Sequence, residues 1–95
     1  MPQHATLQIQ PKTWTRVTSA AVTALRLQNR GLDPLEVQAT AGTAGPASEV
    51  GAILLRYQDV ILPDLTLAQL FPGVTGADHI WVRCSSGGEV SVSHV

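Results

Sequence analysis

The alternation of apolar and polar residues recurs along this chain with a period of two, and it predicts strands. In Ala5-Thr-Leu-Gln-Ile-Gln10, Leu7 and Ile9 share one face and the glutamines the other. That is the pattern of a half-buried strand, and Pro11 ends it. Trp14 to Val17 follows as a second short strand or the rim of the first. Leu35, Val37 and Ala39 alternate with Glu36, Gln38 and Thr40 in the same manner. The small-residue run Ala41-Gly-Thr-Ala-Gly-Pro-Ala-Ser48 then reads as a loop. Beyond it, Ile53, Leu55 and Tyr57 line one face of a strand, with Leu54 and Arg56 on the other.

Two segments break the rhythm. Between Val17 and Gln28, the residues Val17, Ala20, Ala21, Ala24 and Leu25 fit a helical stripe, while Thr23, Leu25 and Leu27 fit a strand face. Periodicity leaves helix and strand both open. The β-branched Val22 and Thr23, and the turn Asn29-Arg-Gly-Leu-Asp-Pro34, shift the weight to a strand from about Ala20 to Asn29. The one clear helical signal is Thr66-Leu-Ala-Gln69, a capping box, closed after Leu70-Phe71 by Pro72-Gly73. This single turn is expected to plug one end of the sheet structure with Leu67, Leu70 and Phe71.

At the C-terminus, Ser86-Gly-Gly88 separates two alternating runs and predicts a hairpin with a glycine in the left-handed position. Pairing Ser85 with Glu89 sets Cys84 opposite Val90, Val82 opposite Val92 and Ile80 opposite His94, which groups the apolar residues on one face. Trp81 and Arg83 then share the other face with Ser91 and Ser93. Trp14 and Arg16 repeat the same Trp-x-Arg spacing.

Length and composition place these elements in one all-β domain spanning residues 1–95, a small antiparallel β-sandwich or barrel with one short helical turn near 66–71. Residues 1–6 form a candidate extended N-terminal arm. With 95 residues, such a domain buries roughly 60 to 65% of its unfolded surface and leaves little room for a large cofactor pocket. Six basic and seven acidic side chains give a formal net charge of -1, which offers no electrostatic footprint for nucleic acid or an anionic membrane. The longest apolar run, within Val50 to Leu55, falls far short of the ~20 residues of a membrane-spanning helix. A soluble protein is expected. Cys84 is the only cysteine, so no internal disulfide forms, and synthesis in a reducing compartment is the simplest expectation.

No spacing points to catalysis. His79 and Cys84, five apart on a strand, face opposite ways, so a Cys-His dyad is not expected, and Cys84 reads as a small buried hydrophobe. His4, His79 and His94, even with Asp78 beside His79, match no compact metal motif. The carboxylates are scattered, and neither a nucleophile elbow nor a phosphate-binding glycine loop is present. The expectation is a non-enzyme without metal or cofactor.

Contact chemistry is the stronger signal. Trp and Arg are enriched at interface hot spots, which makes Trp81, Arg83, Trp14, Arg16 and Arg56 the candidate interface. The competing expectation is that both tryptophans pack under a loop or sheet of their own chain. A sugar-binding module that stacks rings on Trp14 and Trp81 is a further alternative, although four aromatic residues in all make a poor platform.

Several runs together resemble a known group. Trp14-Thr-x-Val-Thr18, Val22-Thr-Ala-Leu-Arg-Leu-Gln-Asn29, Ala41-Gly-Thr-Ala-Gly-Pro46, Asp64-Leu-Thr-Leu-Ala-Gln-Leu-Phe-Pro-Gly73 and Val90-Ser-Val-Ser-His-Val95 resemble small proteins encoded in the structural modules of tailed phages and prophages. The resemblance covers nearly the whole chain through strand and turn patterns and carries no site residues. It implies a virion structural protein, foremost a capsid cement or decoration protein. Such a protein is made in the host cytoplasm, sits on the capsid exterior, binds the major capsid protein or another virion protein, and forms a homo-oligomer such as a trimer. A tail, collar or fibre-associated subunit is the alternative station.

Overall fold

The computed structural model describes residues 3–48 and 50–94. Eight strands and one helical turn form two four-stranded sheets: β1 (Gln3–Ile9), β2 (Thr15–Arg16), β3 (Arg26–Asn29), β4 (Leu35–Thr40), β5 (Ile53–Leu55), β6 (Val60–Ile61), α1 (Leu67–Leu70), β7 (His79–Arg83) and β8 (Gly88–His94). The first sheet has the order β1-β8-β3-β6 and the second β2-β7-β4-β5. All pairings between strands are antiparallel. One isolated parallel bridge joins Pro11 to Cys84. The fold is the expected small antiparallel sandwich. Its core is built from inward residues of both sheets, including Leu27, Val90 and Val92 of the first and Leu35, Val37 and Val82 of the second.

The alternation read from the sequence places side chains correctly along most strands. Leu35, Val37 and Ala39 are buried on β4, and Leu55 is buried on β5 while Leu54 points out. Ile9 is buried at the end of β1, with Ala5 and Leu7 half-buried beside it. Thr66 caps α1, accepting from the Gln69 backbone N–H while the Gln69 side chain accepts from the Thr66 N–H. Leu67 and Phe71 are buried and Leu70 packs on the core, so the turn closes the sandwich as expected.

The C-terminal hairpin does not form. β7 lies in one sheet and β8 in the other, and the connection between them is an arch over the end of the sandwich. Val82 pairs with Val37 and Thr15, and Val92 with Ala5 and Leu27. The residues expected side by side on one sheet instead face the core from opposite sheets. The inward set is the same in both arrangements, because alternation fixes which face is buried and not which strand is the neighbour. Gly87 takes the left-handed conformation expected of that turn, with φ +85°. A Cβ there would meet the Ile9 carbonyl oxygen at 3.2 Å.

Two further expectations are corrected. The strand expected from about Ala20 begins only at Arg26, and the helical alternative is not realised. Residues 17–25 cross between the sheets, and their backbone bonds go elsewhere: Val17 N–H to Ile80 O, Val22 N–H to Asp78 O, and the Leu67 N–H to Thr23 O. Val17, Val22 and Leu25 are buried by this crossing, which explains why neither period fitted them. Residues 3–6 are not an arm. They belong to β1 and pair with Ser91 to His94 of β8; Met1 and Pro2 lie outside the described residues.

Both sheets end together on each side. β1 and β2, joined by a short connection, are the outermost strands on one side, and β5 and β6 on the other. The turn between β5 and β6 is held from inside by Asn29, which is fully buried. Its Nδ2 donates to the carbonyls of Leu55 and Asp33, each at 2.9 Å, and its Oδ1 accepts from the Gly31 N–H at 2.8 Å. Its backbone adds bonds to Asp59 O and from the Gln58 N–H.

Candidate functional site

Two surfaces have the chemistry to meet a partner: the outer face of the second sheet, and the β5–β6 side of the sandwich. The outer face collects most of the residues singled out in the sequence. Register places Arg16 and Gln38 on either side of Trp81, and Glu36 beside Arg83. Directly opposed residues share a face, so Arg16, Trp81, Arg83, Glu36 and Gln38 form one surface. Trp14, one residue before β2, is half-buried. Arg56 does not join them; it lies in the turn after β5, on the far side of the sheet.

This face is largely engaged by its own chain. The loop of residues 41–48 folds back over it. A Cβ at Gly45 would sit 3.5 Å from Cζ3 and 3.6 Å from Cη2 of Trp81, so the loop backbone lies against the six-membered ring. The small side chains of the loop permit that approach. The Trp81 indole N–H donates to Thr40 Oγ1 at 2.9 Å, and Thr40 Oγ1 donates in turn to Gly42 O at 3.2 Å. At the far end of the loop, Gln38 Nε2 donates to Val50 O at 2.7 Å. Arg83 Nη1 bonds Glu36 Oε1 at 3.1 Å in a partly exposed pair. Arg16 remains exposed at the sheet edge.

Asp78 fixes the near end of the loop. Its Oδ1 accepts from the Gly42 N–H at 2.9 Å and lies 2.7 Å from Nδ1 of the buried His79. The Gly42 N–H, and then the His79 ring, hold the Asp78 carboxyl below its ordinary value of 3.8. Donors to the ionised form favour it. Cys84 is buried and its Sγ donates to Gly87 O at 3.1 Å. The three histidines have separate partners: His4 Ser93, His79 Asp78, and His94 Gln3. Among the described residues, no three His, Cys, Asp or Glu side chains gather into a metal-ligating group.

The β5–β6 side is the opposite in character. Val60, Leu62 and Leu65 line a groove of about 400 Å³ together with Ile53 and Leu70, whereas Leu54, opposite Glu36, belongs to the outer face of the second sheet. Leu62, Leu65 and Val60 are each about half exposed, at 50%, 45% and 42%. Scattered exposed leucines are ordinary on a protein surface; a contiguous apolar set on the edge of two sheets is the pattern of a contact surface. Sequence reasoning missed this rim. The run Val60-Ile-Leu62 before Pro63 looks like core, but only Ile61 is buried.

No helix among the described residues is long and apolar enough to cross a membrane. No family model, no curated protein and no solved structure matches the chain.

Proposed function

We propose that this chain is a structural subunit of a tailed-phage or prophage virion, a capsid cement or decoration protein that acts by protein contact and without catalysis. The resemblance of its sequence runs to small phage structural proteins supplies the setting. The observation that carries the mode of action is the apolar rim of Val60, Leu62 and Leu65, which follows the β5–β6 turn that Asn29 fixes from within. An exposed apolar rim matches what a subunit needs to seat on a neighbouring protein, the major capsid protein in this reading. Binding only to the assembled shell stabilises that state by mass action.

A tail, collar or fibre-associated station would use the same rim in fewer copies. The sugar-binding alternative has less support: Gly45 lies against the Trp81 ring and Thr40 takes its N–H, so stacking a sugar on that side requires displacing the loop. The test is absolute copy number in purified particles, by mass spectrometry against the major capsid protein. Hundreds of copies are expected for a cement protein, a handful indicate a tail or neck station, and none overturns the virion assignment.

A further inference from the structure

The free edge of β1 is a second unguarded surface. β1 pairs with β8 over seven consecutive positions, from Gln3 opposite His94 to Ile9 opposite Gly88, without a bulge. No strand pairs with its other edge among the described residues. Edge strands are normally blunted by proline, lysine, bulges or short length. Gln3-His-Ala-Thr-Leu-Gln-Ile9 has none of these, whereas β2, β5 and β6 are only two or three residues long.

We propose that this edge is the dimer contact of the protein: β1 pairs antiparallel with β1 of a second copy about a two-fold axis at Thr6. The alternation of covered and exposed residues along β1 sets the register. The core-facing residues of β1 are the odd-numbered ones, with Ala5 and Leu7 only half covered, and the exposed ones are His4, Thr6 and Gln8. Directly opposed residues share a face, so the buried faces of two copies align only if paired residue numbers add to an even value. Centring on Thr6 satisfies this and uses all seven residues. Ala5 of each copy then meets Leu7 of the other, covering their exposed apolar surface. Thr6 meets Thr6, and His4 meets Gln8. No lysine, arginine or carboxylate is opposed to its like, and two four-stranded sheets become one of eight strands. The same surface on both subunits gives a closed pair with no growing end.

The inference goes beyond the virion reading and does not depend on it. Sedimentation equilibrium of the intact chain is expected to give twice the chain mass. Thr6→Lys, at an exposed position, places like charges directly opposite each other and is expected to give the single chain mass with an unchanged circular dichroism spectrum. Thr6→Cys is expected to cross-link to itself under mild oxidation, while His4→Cys does so only when mixed with Gln8→Cys. A monomeric intact chain overturns the proposal, as does an oligomer that Thr6→Lys leaves whole or a cross-link pattern that ignores this register. A monomer still found in particles defeats the dimer and spares the virion assignment; a dimer absent from particles does the reverse.

Discussion

The outer face of the second sheet and the β5–β6 rim divide the roles that the sequence assigned to one surface. On the outer face, the large aromatic is met by its own loop and its polar atoms are taken: Trp81 by Thr40, Arg83 by Glu36, Gln38 by Val50. At the rim, Val60, Leu62 and Leu65 stand about half exposed beyond a β5–β6 turn whose backbone is fixed from inside by Asn29. Trp81 is packed against its own chain, whereas the rim side chains are not covered in this way. Aromatic type identifies a residue with much contact area to give, but not whether the chain itself has used it.

The contrast can be broken at several points. The largest effect is expected from Asn29→Ala. It strands the Leu55 and Asp33 carbonyls and the Gly31 N–H in or near the core, each unsatisfied group costing about 1–3 kcal/mol. A loss of about 3 kcal/mol or more in urea unfolding, together with a loosened rim in hydrogen exchange, is the predicted result. Trp81→Ala comes next, with a loss of about 2–4 kcal/mol for a half-buried aromatic and its loop. Trp81→Phe keeps an aromatic side chain but removes the bond to Thr40 and part of the ring area that Gly45 covers, for a smaller loss of about 1–2 kcal/mol. If Trp81→Ala proved neutral to stability, the loop contact would be incidental and the face free for a partner.

At the rim, Leu62→Lys with Leu65→Lys is expected to change stability by no more than about 0.5 kcal/mol per site, since both positions are exposed. The smallest effect concerns Asp78. Its folded-state carboxyl titrates below its ordinary value of 3.8, so the stability it contributes is present above that value and lost as pH falls through the lower folded value. Tryptophan fluorescence is predicted to shift in that acid window as the loop loosens from Gly42. Asp78→Asn should abolish the shift.

Much of the sandwich was legible because alternation is a direct readout of burial on a pleated strand. β1, β4 and β5 carry it plainly, and the Thr66–Gln69 capping box marked the only helix among the described residues. What alternation does not carry is neighbour identity, which is why the β7–β8 arch was read as a hairpin with the correct buried set. The two-residue β6 is too short to show a period. The 17–25 crossing has none, because its backbone serves β7 and α1 instead of a ladder. Asn29 looked like a turn residue; its burial depends on β5, distant in sequence. The Trp-x-Arg spacing did identify residues that share a face, but the loop that covers Trp81 is drawn there by Asp78 and Gln38 through contacts invisible in a linear string.

The most direct test is incorporation into particles by three forms of the protein, the intact chain, Trp81→Phe and the Leu62→Lys with Leu65→Lys pair, each first shown to be folded. The intact chain and Trp81→Phe are predicted to be found in particles at equal copy number, with the rim pair absent. Full incorporation of the rim pair, or selective loss of folded Trp81→Phe, would return the contact to the Trp81 face and contradict the division drawn here.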